Sequence, residues 1–109
     1  MHLRALGVTA SKRSGELPDV PTIAESGLPG DESTSWVLLL APANLPPPIL
    51  YKLHMETVKM LALPDVKERV ARLGADIIAN NPAEARKYVM SEMQKWSKTV
   101  RAAGIKSGQ

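Results

Sequence analysis

"LPDVPTIAESGLPGDESTSW", residues 17–36, is the stretch whose reading decides the fold. Prolines stand at 18, 21 and 29 and glycines at 27 and 30. The hydroxyl run Ser33-Thr34-Ser35 and Trp36 then open into the apolar "VLLLAP" of residues 37–42. Three readings compete: a flexible linker, a catalytic Gly/Ser loop, or a shaped crossing between two lobes. Local signals favour shape. Thr22 can cap a short helix, "IAESG", and Glu25, three residues on, completes a capping-box pattern. Pro21 presets the chain before the cap, and Gly27 stands where a left-handed residue closes such a turn.

On the N-terminal side, Leu3–Thr9 is a short apolar run with Leu6 and Val8, read as a strand, followed by a polar loop that Gly15 breaks. On the C-terminal side, Thr34–Pro42 is apolar nearly throughout and reads as a buried strand. "ANLPPPIL" begins a helix whose prolines fit only the loop and first turn. Its face of Ile49, Leu50, Leu53, Thr57, Val58 and Leu61 carries it to about Ala62. Pro64 restarts the chain as the helix "DVKERVARLG", with Val66, Val70 and Leu73 inward and Gly74 as its stop. Ala75–Ala79 reads as a short strand.

The strongest pattern is the last. Asn81 caps, Pro82 takes the first helical position, and Glu84 can reach back to the cap. Ala85, Val89, Met93, Trp96, Val100 and Ala103 recur at helical spacing, with Trp96 expected in the core, and Gly104 stops the run. About 22 residues make a strut roughly 33 Å long, suited to a larger body or a partner chain. Strands alternating with helices give an α/β class: a small, mostly parallel sheet of about three strands covered by about four helices.

Composition narrows the function. The 109 residues suffice for one small domain. Phe is absent, so the core must be aliphatic. The net charge of +3 is spread over mixed faces such as Asp65-Lys67-Glu68-Arg69-Arg72. Nucleic-acid binding calls for a one-sided basic stripe or stacking platforms, and neither is visible. Without cysteine there are no disulfides, thiolate nucleophiles or zinc-thiolate sites. No apolar run approaches the roughly 20 residues of a membrane helix. The N-terminus lacks the basic start and long apolar region of a signal peptide. Taken as complete, the chain is expected to stay in the cytoplasm.

Catalytic and metal constellations fail on spacing. His54 has Glu56 only two residues away, and such positions do not share a helix face. A triad of Ser33 or Ser35 with His54 and Asp31 has no Gly-x-Ser-x-Gly elbow. The glycines match no phosphate-binding loop, so no cofactor is expected. Ser33, Thr34 and Ser35 are either a polar lead into a strand or a ligand-facing edge whose hydroxyls and backbone N–H groups suit a carboxylate. Trp36 beside them either joins the core or lines a cleft.

One resemblance joins these pieces. "LRALGVTASKRSGELPDVPTIAESGLPGDESTSWVLLLAPANLPPPILYKL", then "PDVKERVARLGA", then Glu92, Trp96, Val100 and "AAGI" stand in the order found in the Bug family. These are the TctC-like extracytoplasmic solute receptors of tripartite tricarboxylate transporters. The chain resembles their C-terminal part along nearly its whole length, as a truncated portion. The resemblance implies part of a two-lobed periplasmic-binding-protein-like fold that closes, without catalysis, on a di- or tricarboxylate or another small organic acid. It implies a periplasmic location and the family's membrane transporter subunits as partners. Residues 1–16 would then be a strand and loop of the second lobe, 17–36 the inter-lobe crossing, and 37–109 the C-terminal part of the first lobe. Thr9, Ser11, Ser33, Thr34, Ser35 and Trp36 lie nearest that crossing and are the ligand-binding candidates. Leu63 stands where a capping Asp is usual before Pro64. The alternative is an assembly module without ligand binding: a homodimer formed through an exposed strand edge or the long helix.

Overall fold

Prolines set where the helices begin. In the computed structural model, which describes residues 2–106, three helices follow one another: α1 (Pro47–Leu61), α2 (Pro64–Arg72) and α3 (Pro82–Ala102). Each opens with proline in its first turn, where a missing N–H leaves no intrahelical bond unmade. Neither Pro46 before α1 nor Leu63 before α2 gives a side-chain cap. Asn81 does. Its Oδ1 accepts from the Glu84 N–H at 2.9 Å, and Glu84 Oε2 accepts from the Asn81 N–H at 3.0 Å, the full capping box.

Gly74 and Gly104 end α2 and α3 at φ +69° and +67°. Each lets the next amide fold back five residues, Ala75 N–H to the Val70 carbonyl and Ile105 N–H to the Val100 carbonyl. A side chain would strain this left-handed backbone. α3 is 21 residues long, about 31 Å. Replacing Asn81 by Ala should cost about 1 kcal/mol of helix stability, because the Glu84 amide loses its acceptor. The measurement is amide exchange in the first turn of α3; unchanged protection at Glu84 would contradict it.

Among the described residues the expected three-strand sheet does not form. Their β-pairing is a single isolated parallel bridge, Val8 with Thr22. Two bonds make it: Val8 N–H to the Pro21 carbonyl and Ile23 N–H to the Val8 carbonyl. Of the Leu3–Thr9 strand, then, one residue is paired. Thr34–Pro42 and Ala75–Ala79 form no ladder. The cause is want of a partner strand: among the described residues neither segment pairs with another in a β-bridge. Ala79 also sits at φ +51°, outside the strand region. The "IAESG" helix is a single hydrogen-bonded turn, so three helices stand where about four were expected.

No apolar side chain among the described residues is buried; the buried residues are Thr22 and Glu92. Val37 is 101% exposed, Leu39 74%, Leu40 79% and Ile78 75%. Trp96, expected in the core, is 41% exposed. The accessible surface is 9688 Å², against roughly 5,900 Å² for a compact protein of this mass. The radius of gyration is 17.4 Å, against about 13 Å for a compact domain of this length. The aliphatic residues that should build a core are present, but among the described residues they are at most half-buried. Among the described residues, no helix is long and apolar enough to cross a membrane.

Candidate functional site

The crossing segment is held at three points. The first is its own capping box. Glu25 N–H donates to Thr22 Oγ1 at 3.0 Å, and Thr22 N–H donates to Glu25 Oε2 at 2.8 Å. Arg13 closes the outer side, its Nε 3.0 Å from Glu25 Oε2 and its Nη1 3.2 Å from the Pro18 carbonyl. The Glu25 carboxyl is held below the ordinary glutamate range, chiefly by the Thr22 N–H and next by Arg13. Beside the box, the Ile23 side chain lies over Gly7, leaving no room for a Cβ there unless it moves.

The second point joins two predicted site regions. The Ser33 N–H donates to the Thr9 carbonyl at 2.8 Å. Thr9 is exposed, while Ser33 and Thr34 are half-buried. Ser11 and Ser35 are exposed. Of the predicted residues, then, the fold brings Thr9 and Ser33 together.

The third point lies on α3. Trp36 meets Tyr88 edge to face, ring centroids 5.8 Å apart and planes at 82°. One turn on, Glu92 is covered, with 6% of its surface exposed. Trp96 Nε1–H donates to Glu92 Oε2 at 3.0 Å, and Lys95 Nζ lies 2.6 Å from Glu92 Oε1. Lys95 also donates to the Glu32 carbonyl at 3.2 Å and sits 5.6 Å from the Trp96 ring centroid. The Glu92 carboxyl is held below the usual range, first by Lys95 and then, against desolvation, by the Trp96 indole. Lys95 is raised, first by Glu92, with a further contribution from the Glu32 charge. That pairing tempers the negative charge beside the hydroxyl run.

Glu92, Lys95 and Tyr88 were not among the sequence candidates. A signal was available: Glu92 interrupts the Val89-Met93-Trp96 stripe, with Lys and Trp three and four residues on, where helix neighbours meet. Two open surface depressions lie elsewhere, one along Pro48, Lys52 and Glu56 of α1, the other between Ser14–Glu16 and Gly74–Asp76. Among the described residues, no three His, Asp or Glu side chains gather closely enough to hold a metal ion.

Taken together, the backbone is similar to about a third of that of known periplasmic binding proteins. It superposes on the structure of periplasmic binding protein BugD with a TM-score of 0.77 at 35% identity, covering 94% of this chain and 35% of that one. It superposes similarly, at 0.75 and 32% identity, on an R. palustris protein solved with adipate, covering 91% of this chain and 33% of the other. The chain belongs to the tripartite tricarboxylate transporter receptor family, TctC, whose model matches residues 1–105. Similar relatives include Protein BugT of Bordetella pertussis, 34% identical over 105 residues, covering 96% of this chain and 32% of the relative. A protein from the tcbD-tcbE intergenic region of a Pseudomonas species is 39% identical over 100 residues, covering 91% of this chain and 30% of the relative. The chain thus spans about a third of the length of these relatives.

Proposed function

We propose that the chain forms the C-terminal part of a non-catalytic solute receptor that binds a small organic acid, a di- or tricarboxylate or similar, for uptake. The family match over residues 1–105 carries this reading, and the structural neighbour with adipate supports a dicarboxylate. In this reading the receptor works in the periplasm and delivers its ligand to the family's membrane subunits. Residues 1–16 belong to one lobe, 17–36 cross between lobes, and 37–109 belong to the other; Met1 and residues 107–109 lie outside the described structure. Thr9, Ser11, Ser33, Thr34, Ser35 and Trp36 border the ligand cleft, and the Ser33-to-Thr9 bond supports that grouping. Their hydroxyls and free amides meet carboxylate oxygens, which accept but do not donate when ionised.

The test is a thermal-shift and calorimetric series over citrate, malate, glutamate and adipate. It is run on this chain supplied with the remaining part of a BugD-like receptor as a second polypeptide. Binding at 100 times Kd should stabilise the complex by about 2.7 kcal/mol. No response to any acid at millimolar concentration would sink the receptor reading. The exposed Val37, Leu39 and Leu40 favour a second reading, self-association through the unpaired apolar segment. Light scattering separates the two: a stable dimer of the chain alone, with no acid bound, supports the assembly module.

A further inference from the structure

We propose that Glu92 is an acid-sensitive fastening that holds the Glu32–Trp36 stretch of the crossing against α3. A covered carboxylate, where no described apolar side chain is buried, is an inversion that calls for a reason. Burying a charge is unfavourable unless it is paired and hydrogen-bonded, and Glu92 is both. One oxygen takes the Trp96 indole N–H at 3.0 Å and the other takes Lys95 at 2.6 Å. Lys95 then extends from this pair to the Glu32 carbonyl, 63 residues away in sequence. Tyr88, one turn before Glu92, holds the Trp36 ring. The carboxylate fixes Lys95 and Trp96; Lys95 fixes the backbone at Glu32; the aromatic pair fixes Trp36. Protonating one oxygen loosens the set, because a neutral carboxyl no longer anchors the ammonium group.

The groups facing Glu92 settle the direction. Against Glu92 itself lie Lys95 and the Trp96 indole from α3 and the Trp36 indole from the crossing; Glu32 and Tyr88 act on Lys95. Lys95 is raised and stays charged throughout the acid range. The Glu92 carboxyl lies lower in the folded than in the unfolded chain, so its contribution is whole above the ordinary glutamate value. It is lost as pH falls through the depressed one. The fastening therefore holds at neutral pH and releases only as pH falls below the ordinary glutamate range. This holds whether or not the chain binds a solute.

Trp36 and Trp96 are the sequence's two tryptophans, so the site reports on itself. In proton–nitrogen correlation spectra of the full chain, the Trp96 indole signal should titrate with a midpoint below the ordinary glutamate range. Glu92→Gln should make that signal independent of pH between 3 and 7. Lys95→Met should move the midpoint up, because the largest lowering contribution is removed, and Glu32→Gln should leave a titration in place. In a Trp96→Phe chain, where Trp36 is the remaining indole, acrylamide quenching should rise as pH falls from 7 to 3. With Glu92→Gln added, quenching should already be high at pH 7. An indole signal that is flat in the unsubstituted chain, or that titrates alike in Glu92→Gln, overturns the proposal. So does Trp36 quenching that ignores the Glu92 substitution. Loss of the titration in Glu92→Gln against a raised midpoint in Lys95→Met separates the fastening from general loss of structure, which would affect both alike.

Discussion

Alone in solution, the 109-residue chain should bind the hydrophobic dye ANS and melt gradually, without a sharp transition. Cooperative melting requires a core whose parts stabilise one another, and no apolar side chain among the described residues is buried. Helices held by local bonds, with apolar surface open to water, bind such a dye. Adding the remaining two-thirds of a BugD-like receptor as a separate polypeptide should reverse both results. The unpaired Thr34–Pro42 and Ala75–Ala79 segments then gain neighbours, and Val37, Leu39, Leu40 and Ile78 leave water. Fully burying one such side chain contributes roughly 1.5–3 kcal/mol, so the set can create a transition where none existed. Calorimetry and dye fluorescence read both states. A sharp transition and no dye binding for the chain alone would mean that it completes its own core, for instance as a dimer.

Thr22→Val should loosen the crossing by about 1–2 kcal/mol. Valine keeps the shape and the buried methyl group of Thr22, which is 2% exposed, but removes the oxygen that accepts from the Glu25 N–H. A donor stranded near a buried position loses more than the bond's net value. The Glu25 amide should exchange about ten times faster with solvent. Thr22→Ser, which keeps the acceptor, should stay close to the unsubstituted chain. Equal exchange rates in the Val and Ser variants would show that the methyl group, and not the hydroxyl, holds the turn. The same box weakens in acid. The Glu25 carboxyl is depressed by the Thr22 N–H and Arg13, so its contribution is present at neutral pH and lost as pH falls through the depressed value.

Caps and stops were legible in the sequence because they are local. Asn81 with Glu84, Thr22 with Glu25, and the glycines at 74 and 104 act through bonds spanning three to five residues, and all four formed. Strands were not legible in the same way, because a strand is defined by its neighbour. "TSWVLLLAP" has the composition of a buried strand, but composition cannot supply a second chain segment. Trp96 failed as a core residue for the same reason: the stripe on α3 is there, and its cover is not. At the site, the Thr9–Ser33 meeting follows from a bridge that single-sequence patterns do not reveal. Glu92 was missed because a lone acid among apolar helix positions reads as a solvent-facing interruption.

The bond from Lys95 to the Glu32 carbonyl has a consequence for synthesis. Its two ends lie 63 residues apart, so at translation rates of about 5–20 residues per second the acceptor waits roughly 3–13 s for its donor to be made. The Thr22 turn needs only residues already nearby and can set as it leaves the ribosome. The stretch after it cannot be secured until α3 has emerged. During that interval the nascent chain carries a finished turn followed by an unfastened apolar segment, the interval in which chaperone binding or premature pairing would act on it.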